Sequence, residues 1–178
     1  MPQAAAHILV PLFILSLIMD FFKKKNGKKF SLHYVLIGGI AGIIPDLDIV
    51  AFWVLAFFGY AIQEVHRTFM HTIFIPLIFI IMGFLFMLSN LKIGRHKLKL
   101  SAIFFLLAFC SFFHLLLDAI LAGSIMPFYP ISYLSVGLDL FGLFPKSLEE
   151  IAAPSLDAGL LIIYIIYLEL RHKISDFI

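Results

Sequence analysis

Charged residues and cysteine are scarce in this chain. Asp, Glu, Lys and Arg make up 13% of its 178 residues, and Cys110 is its single cysteine. One cysteine excludes an intrachain disulfide and a cysteine-rich zinc site. Hydrophobic residues, in contrast, make up 62% of the chain, and the mean hydropathy is +1.07. A water-soluble domain of this size does not need so much apolar surface, so the composition indicates an integral membrane protein.

Long apolar runs divide the chain. The run Ser101–Leu121 contains no Lys, Arg or Glu, and at about 1.5 Å per residue it spans a bilayer core of about 30 Å. We therefore predict an all-α, polytopic membrane helix bundle with about five transmembrane helices, forming a single domain over residues 1–178. Ile131–Phe144 is too short to cross and is predicted to be an interfacial or re-entrant helix carrying Asp139. The predicted spans are Ala4–Phe22, Leu32–Phe58, Thr68–Leu91, Ser101–Leu121 and Ser155–Leu170.

Basic residues are distributed unevenly between the loops. Of the 13 Lys and Arg residues, five follow the first span, four follow the third and two follow the fifth. Only Arg67 and Lys146 remain for the opposite side. Because basic residues accumulate on the cytoplasmic side, we predict a multi-pass protein of the cell membrane. Its N-terminus is expected outside and its C-terminus inside.

His114 and Asp118 lie four residues apart in the fourth span. This spacing puts both side chains on one helix face. Two ionisable groups at membrane depth need a compensating partner. An imidazole nitrogen and a carboxylate oxygen are ligands that a zinc-type divalent metal accepts. Taken alone, the pair fits a metal site and a simple His–Asp hydrogen bond equally well.

The other spans also bring imidazoles or carboxylates to the outer third of the membrane. Asp46 and His114 lie 14 and 13 residues from the cytoplasmic starts of their spans, or about 20 Å up at helical rise. Scattered structural polar groups have no reason to share one depth. The pattern therefore favours a metal site over a proton relay or a structural network. The other residues at this level are His7, His71, Asp118 and Asp157, with His66 and Arg67 just above them.

The second span carries features that interrupt a helix. Gly38 and Gly42 form a small-xxx-small pair that permits close helix approach. Pro45 lacks a backbone donor and predicts a kink or a break. Asp46 and Asp48 are about 200° apart on a regular helix, so both can face one site only if the helix breaks at Pro45.

The residues around the third and fifth spans keep alternative interpretations. His66 and His71 are five apart and diverge on a regular helix, so one of them can lie outside the ligand set. Arg67, four residues before His71, would share its face and is a candidate anion clamp. Asp157 would lie in the first turn of the last span, with Ser155 as its N-cap, where a carboxylate complements the helix dipole.

The polar residues form an ordered set that resembles the YdjM-like family, over about residues 1–135. That family is described as membrane-bound, metal-dependent hydrolases of bacteria and archaea. It is distantly similar to zinc-dependent phospholipase C and the P1-type nucleases, all-helical phosphodiesterases with a zinc cluster. The resemblance implies that His71, His114, Asp118 and one Asp of the Pro-Asp-x-Asp piece hold one zinc, with His7 near a second. The matching pieces are His7, Gly42–Asp48 (GIIPDLD), His66–Thr72 (HRTFMHT) and His114–Asp118 (HLLLD).

We therefore expect a membrane-embedded hydrolase that acts on a lipid-borne phosphoester at the extracytoplasmic side. One or two Zn²⁺ ions would activate water and polarise a phosphoryl oxygen. The expected catalytic residues are Asp48, as proton acceptor or metal bridge, Arg67, as a clamp on phosphate oxygens, and His66. The outer face has only two basic residues, so no nucleic acid partner is expected.

Two other functions use the same residues. In a transporter or proton-translocating protein, the His/Asp set would bind the cargo or relay protons, and the broken second span favours this alternative. In a scaffold or regulatory membrane protein, the metal would be structural.

Overall fold

The computed structural model describes residues 4–26, 31–121 and 123–174, and these residues are predominantly helical. The helices are α1 (Ala4–Asn26), α2 (Leu32–Ala41), α3 (Asp48–Leu55), α4 (Ile62–Val65), α5 (Phe74–Ser89), α6 (Leu100–Leu121) and α7 (Lys146–His172). Short 3-10 turns cover Pro45–Leu47, Ala56–Phe58, Phe69–His71 and Phe141–Leu143. Strands β1 (Lys92–Ile93) and β2 (Leu98–Lys99) form a small antiparallel hairpin before α6. The predicted all-α class is confirmed.

The helices are long and apolar enough for a membrane. Among the described residues, α1, α6 and α7 each satisfy the length and composition of a span. The pair Leu32–Ala41 and Pro45–Phe58, bent by 49°, makes a fourth if it counts as one broken span. The helix α5 is apolar but only 16 residues long. These helices support a membrane location, but the expected five spans are not shown.

Glycines on α2 let the central helices approach closely. A Cβ atom at Gly38 would collide with the side chain of Leu15 on α1 and lie 3.5 Å from Cys110 Sγ on α6. Leu15, Cys110, Val35 and Ala41 form the buried core at this crossing. Gly38 lies against Leu15 and Gly42 against His7, so α2 runs antiparallel to α1. Gly38 lies near Cys110 and Gly42 bonds to His114, so α2 runs parallel to α6. The small-xxx-small pair therefore brings three helices together below the polar cluster.

The third predicted span begins later than expected. Thr68–Thr72 was predicted to be helical, but it forms a turn that contains a 3-10 segment, and α5 starts only at Phe74. Arg67 has a φ of 62°, in the left-handed region, which no helix interior allows. Arg67 and His71 consequently do not share a helix face, and that part of the prediction is wrong.

The segment 131–144 is not a helix, which corrects the predicted interfacial helix. Only Phe141–Leu143 forms a 3-10 turn, and Val136 pairs with Ile125 in an isolated β-bridge. The backbone N–H groups of Leu138 and Leu140 donate to the carbonyls of Ala119 and Ile120 at the end of α6. The last carbonyls of a helix lack partners within it. An extended segment can supply the missing donors, whereas a helix would use its own N–H groups internally.

The helix α7 begins at Lys146, nine residues before the predicted start. Ser155 is therefore not an N-cap, and Asp157 does not lie in a first turn. The residues before Pro154 (KSLEEIAA) are mostly strong helix formers. Pro154 is accommodated inside the helix, as prolines in membrane helices often are.

Candidate metal centre

The centre is anchored by His114 on α6. Its side chain is fully buried, and Nδ1 donates a hydrogen bond to the carbonyl oxygen of Gly42 at 2.7 Å. This carbonyl lies at the end of α2, where a helix leaves acceptors unpaired. A neutral ring with its proton on Nδ1 presents the lone pair of Nε2 to the interior of the cluster. A backbone carbonyl on the far nitrogen is the usual device that orients a metal-binding histidine.

His71 enters from the turn that precedes α5. It ends the 3-10 segment Phe69–His71 and is fully buried. The Thr68 hydroxyl donates to the Val65 carbonyl, and the N–H of Ile73 donates to the carbonyl of Pro127. These two bonds fix the turn on both sides of His71, so that Nε2 lies 3.2 Å from His114 Nε2.

The break after α2 brings both carboxylates of the Pro-Asp-x-Asp piece to His71. Pro45 starts a 3-10 turn, and the chain bends by 49° between α2 and the following segment. Asp46 Oδ1 lies 3.5 Å from Nε2 of His71, and Asp48 Oδ2 lies 3.1 Å from Nδ1 of the same ring. The predicted break at Pro45 is confirmed. Because of this break, Asp46 and Asp48 are not held about 200° apart as they would be on a regular helix.

Four donor atoms from three chain segments face one another at the centre. The two Nε2 atoms of the histidines are 3.2 Å apart. Each lies 3.5 Å from the Asp46 oxygen and 3.3 or 3.4 Å from the Asp118 oxygen. Lone pairs so close together repel unless protons or a cation lie between them. The four atoms are Asp46 Oδ1, His71 Nε2, His114 Nε2 and Asp118 Oδ2.

Asp118 divides its two oxygens between two sets of partners. Oδ2 faces the two histidines, whereas Oδ1 lies 3.2 Å from an Arg67 guanidinium nitrogen and 3.4 Å from His7 Nε2. The His7 ring stacks on His114 with the centroids 3.8 Å apart. Arg67 thus supplies a positive charge to the carboxylate on the side away from the histidine pair.

His7 is positioned by α7. Asp157 Oδ1 accepts a hydrogen bond of 2.9 Å from the backbone N–H of Ala6. The first N–H groups of a helix lack internal partners, so this carboxylate caps α1 rather than its own helix. Sequence reasoning missed this partnership, and it also missed the Gly42 carbonyl, because neither residue carries a local signal for a contact so far along the chain.

Asp48 holds the residues around the centre. Its carboxylate is 1% exposed. Oδ1 lies 2.9 Å from His66 Nδ1, while Oδ2 accepts a hydrogen bond of 3.1 Å from the backbone N–H of Arg67. With the contact to His71 Nδ1, both oxygens of Asp48 are directed at neighbouring residues.

Three groupings of these residues could hold a metal ion. In each grouping, the ligand atoms lie within 4.8 Å of one another. Asp48 belongs to none of the three, although it was predicted to be a ligand. The groupings are His7 with Asp46 and His114; Asp46 with His66 and His71; and His71 with His114 and Asp118.

Several other titratable residues lie apart from the centre. The rings of His33 and His96 stack on each other at 3.9 Å. His172 lies 3.5 Å from Asp20, near the C-terminal ends of α1 and α7. Asp139 accepts a hydrogen bond from the N–H of Gly142 at 3.3 Å.

The fold and the site define a class: an all-α membrane protein with a buried histidine–aspartate cluster on its central helices. The chain belongs to the family described as YdjM inner membrane protein, whose family model matches residues 1–170. The match extends beyond the motifs of the sequence analysis and includes most of α7. No curated protein and no solved structure matches the chain. The distant similarity to phospholipase C and the P1-type nucleases stays a prediction.

Proposed function

We propose that the centre holds one divalent metal ion of the zinc type, bound by Asp46, His71, His114 and Asp118. The observation that supports this proposal is the spacing of the four donor atoms. Five of their six pairwise distances lie between 3.2 and 3.5 Å. Ligand atoms about 2.0–2.2 Å from a tetrahedral ion are separated by about 3.3–3.6 Å. The donor set, two imidazoles and two carboxylates, is also one that zinc accepts.

We further propose that the protein hydrolyses a phosphoester carried by a lipid. A zinc-type ion supplies Lewis acidity toward a phosphoryl oxygen and makes water a better nucleophile. Arg67, whose side chain is 32% exposed beside the buried Asp118, carries a guanidinium that can bind phosphate oxygens. His66, held by Asp48, lies outside the four ligands with its ring centroid 5.0 Å from that of His71, and it can transfer a proton.

A lipid substrate is favoured by the surroundings of the exposed ligand. Asp46 is 26% exposed, and Leu47, next to it, is 51% exposed. The centre is therefore accessible beside an apolar side chain that faces outward. In a membrane, such an opening admits a lipid from the side more readily than it admits a soluble substrate. The extracytoplasmic position of the site, taken from the distribution of basic residues, is part of this proposal.

Metal content and hydrolysis can be measured on the same detergent-purified protein. We expect one zinc per chain by elemental analysis, and loss of most of it in His114→Ala and Asp118→Ala. His33→Ala and His172→Ala are matched controls that should keep it, because both residues lie away from the centre. Absence of metal, or equal loss in all four variants, would contradict the proposed centre.

The reaction is tested with phosphatidic acid, polyprenyl phosphates and phosphodiester lipids in mixed micelles. We expect zinc-dependent release of product that His114→Ala abolishes. A protein that binds metal, releases no product from any of these lipids and shows metal-dependent flux in liposomes would be a transporter, the alternative that the broken α2–α3 pair favours.

A further inference from the structure

Residues 48–66 leave the metal centre and return to it. They comprise α3, the 3-10 turn Ala56–Phe58 and α4, and we call them the 48–66 hairpin. At its two ends, Asp48 Oδ1 and His66 Nδ1 are 2.9 Å apart. Asp48 Oδ2 also accepts from the backbone N–H of Arg67, the next residue. The predicted second span included α3. In the structure, α3 instead belongs to a hairpin whose two ends meet at the centre.

The hairpin departs from the direction of the bundle. The chain bends by 49° between α2 and the segment Pro45–Phe58. Beyond the bend, α3 packs mainly against α4 and the adjoining 3-10 turns. The stretch from Asp48 to Phe58 is about 16 Å long at helical rise, about half of a bilayer core of about 30 Å. The hairpin is therefore too short to span a whole bilayer core and return.

The surface of the hairpin is apolar from residue 49 to residue 62. Residues 49–62 (IVAFWVLAFFGYAI) contain no charged side chain. Val50, Trp53, Val54 and Phe57 follow the i, i+3, i+4, i+7 spacing of one helix face, and each is more than half exposed. Phe57 reaches 90% exposure, and Phe58 beside it reaches 76%. Outward apolar side chains of α5 and α7, helices that a membrane location would set against lipid, are exposed in the same way.

We propose that the 48–66 hairpin is a re-entrant arm seated in the bilayer hydrocarbon, and that it docks the hydrocarbon chain of the lipid substrate beside the metal centre. The second half of this statement rests on the proposed function. Water would leave the aromatic face of α3 exposed, whereas lipid chains cover it and bring a phosphoester to the base of the hairpin. Tyr60, near the tip and 52% exposed, can anchor in the headgroup region.

Trp53 reports the location of the arm without any substitution, because it is the only tryptophan of the chain. The full-length protein is reconstituted in phosphatidylcholine vesicles that contain lipids brominated at different depths of the acyl chain. We expect the tryptophan emission to be blue-shifted. Bromine on the acyl chains should quench most of this fluorescence, and aqueous iodide should quench little of it. Quenching by iodide instead would place the hairpin in water, and quenching by neither would mean that protein, such as a second copy of this chain, covers it. Each of these two outcomes would contradict the proposed position of the arm in the bilayer hydrocarbon.

Docking of the substrate chain is tested by comparing two substrates in Phe57→Ser. We expect a several-fold increase in KM for a long-chain phosphatidic acid in vesicles. The KM for a short-chain, water-soluble analogue and the metal content should not change. Leu88→Ser is the matched control, since Leu88 is 82% exposed on α5, outside the hairpin. Equal KM changes for both substrates, or none, would overturn the docking role. If the unsubstituted protein releases no product at all, the hydrolase proposal fails while the quenching result still decides the position of the arm.

Discussion

Asp46 and Asp48 are only two positions apart, yet their environments assign them different roles. Asp46 is partly exposed and places one oxygen 3.5 Å from both histidine Nε2 atoms. Asp48 is buried, and its oxygens are directed at His66, His71 and the backbone of Arg67. A carboxylate on the far nitrogen of a metal-binding histidine fixes the orientation of the ring. We therefore interpret Asp48 as a positioning residue, although the sequence suggested a ligand or a proton acceptor.

The substitution Asp48→Asn tests this assignment at the scale of the residue. An amide keeps the size of the side chain but loses the charge that orients His71 and His66, so we expect zinc affinity to fall by about 10–100-fold. Affinity is measured by competition with a chromophoric chelator. Asp139→Asn is the control, because Asp139 is exposed and its carboxylate accepts a hydrogen bond within its own turn. Unchanged affinity together with lost hydrolysis would instead assign Asp48 to proton transfer.

At the scale of the element, the end of α2 connects three parts of the site. Gly42 packs so closely on α1 that a Cβ atom would collide with the carbonyl oxygen of His7. Its own carbonyl accepts the hydrogen bond from His114, and Pro45 begins the break three residues later. The backbone of Gly42 has ordinary right-handed angles. The requirement for glycine is therefore one of space and not of conformation.

Gly42→Ala should destabilise the protein and also weaken metal binding. The added methyl group must push α1 and α2 apart, an overpacking that costs about 1–3 kcal/mol, and the shift displaces both His7 and the carbonyl that orients His114. The midpoint of thermal unfolding in detergent and the zinc content measure the two effects. Gly159→Ala on α7 is the matched control, since, apart from its own stretch of helix, no atom of the described residues lies within 4 Å of its Cβ position. A Gly42→Ala variant as stable as Gly159→Ala would contradict this account of the helix crossing.

At the scale of the whole molecule, α7 runs parallel to α1 along a series of polar contacts. Asp157 caps α1 at one end, the Ser16 and Tyr164 hydroxyls lie 3.2 Å apart in the middle, and Tyr167 donates to Asp20 at 2.8 Å near the other end. The C-terminal ends of both helices therefore lie on the same side. Basic residues occur in the last turn of each helix or just after it. This arrangement is the one that an N-terminus outside and a C-terminus inside requires.

Membrane orientation can be tested with single introduced cysteines in intact cells. A membrane-impermeant maleimide should label Leu143→Cys from outside, and it should label Ile93→Cys only after the cells are permeabilised. Both positions are exposed, and the native Cys110 is fully buried and serves as the unlabelled background. Labelling of Ile93→Cys in intact cells would reverse the orientation that the basic residues predict.

The class of protein was largely determined by the sequence alone. The scarcity of charge and the long apolar runs indicate membrane helices because hydrocarbon cannot solvate polar groups. The four-residue spacing of His114 and Asp118 fixes their common face, because the period of the helix is a local property. For the same reason, the break at Pro45 was predictable, since a proline removes a donor wherever it stands in a helix.

Only the tertiary structure decided which groups meet and where several elements begin or end. The contacts of Asp48 with His66, of Gly42 with His114 and of Ala6 with Asp157 join residues 18, 72 and 151 positions apart. Such contacts depend on how the helices pack, and no local pattern encodes them. The left-handed turn at Arg67 and the non-helical course of residues 131–140 likewise follow from partners elsewhere, the Asp48 carboxylate and the last carbonyls of α6. Local sequence fixes the period and the solvation of each segment, whereas long-range packing selects the partner of each polar atom.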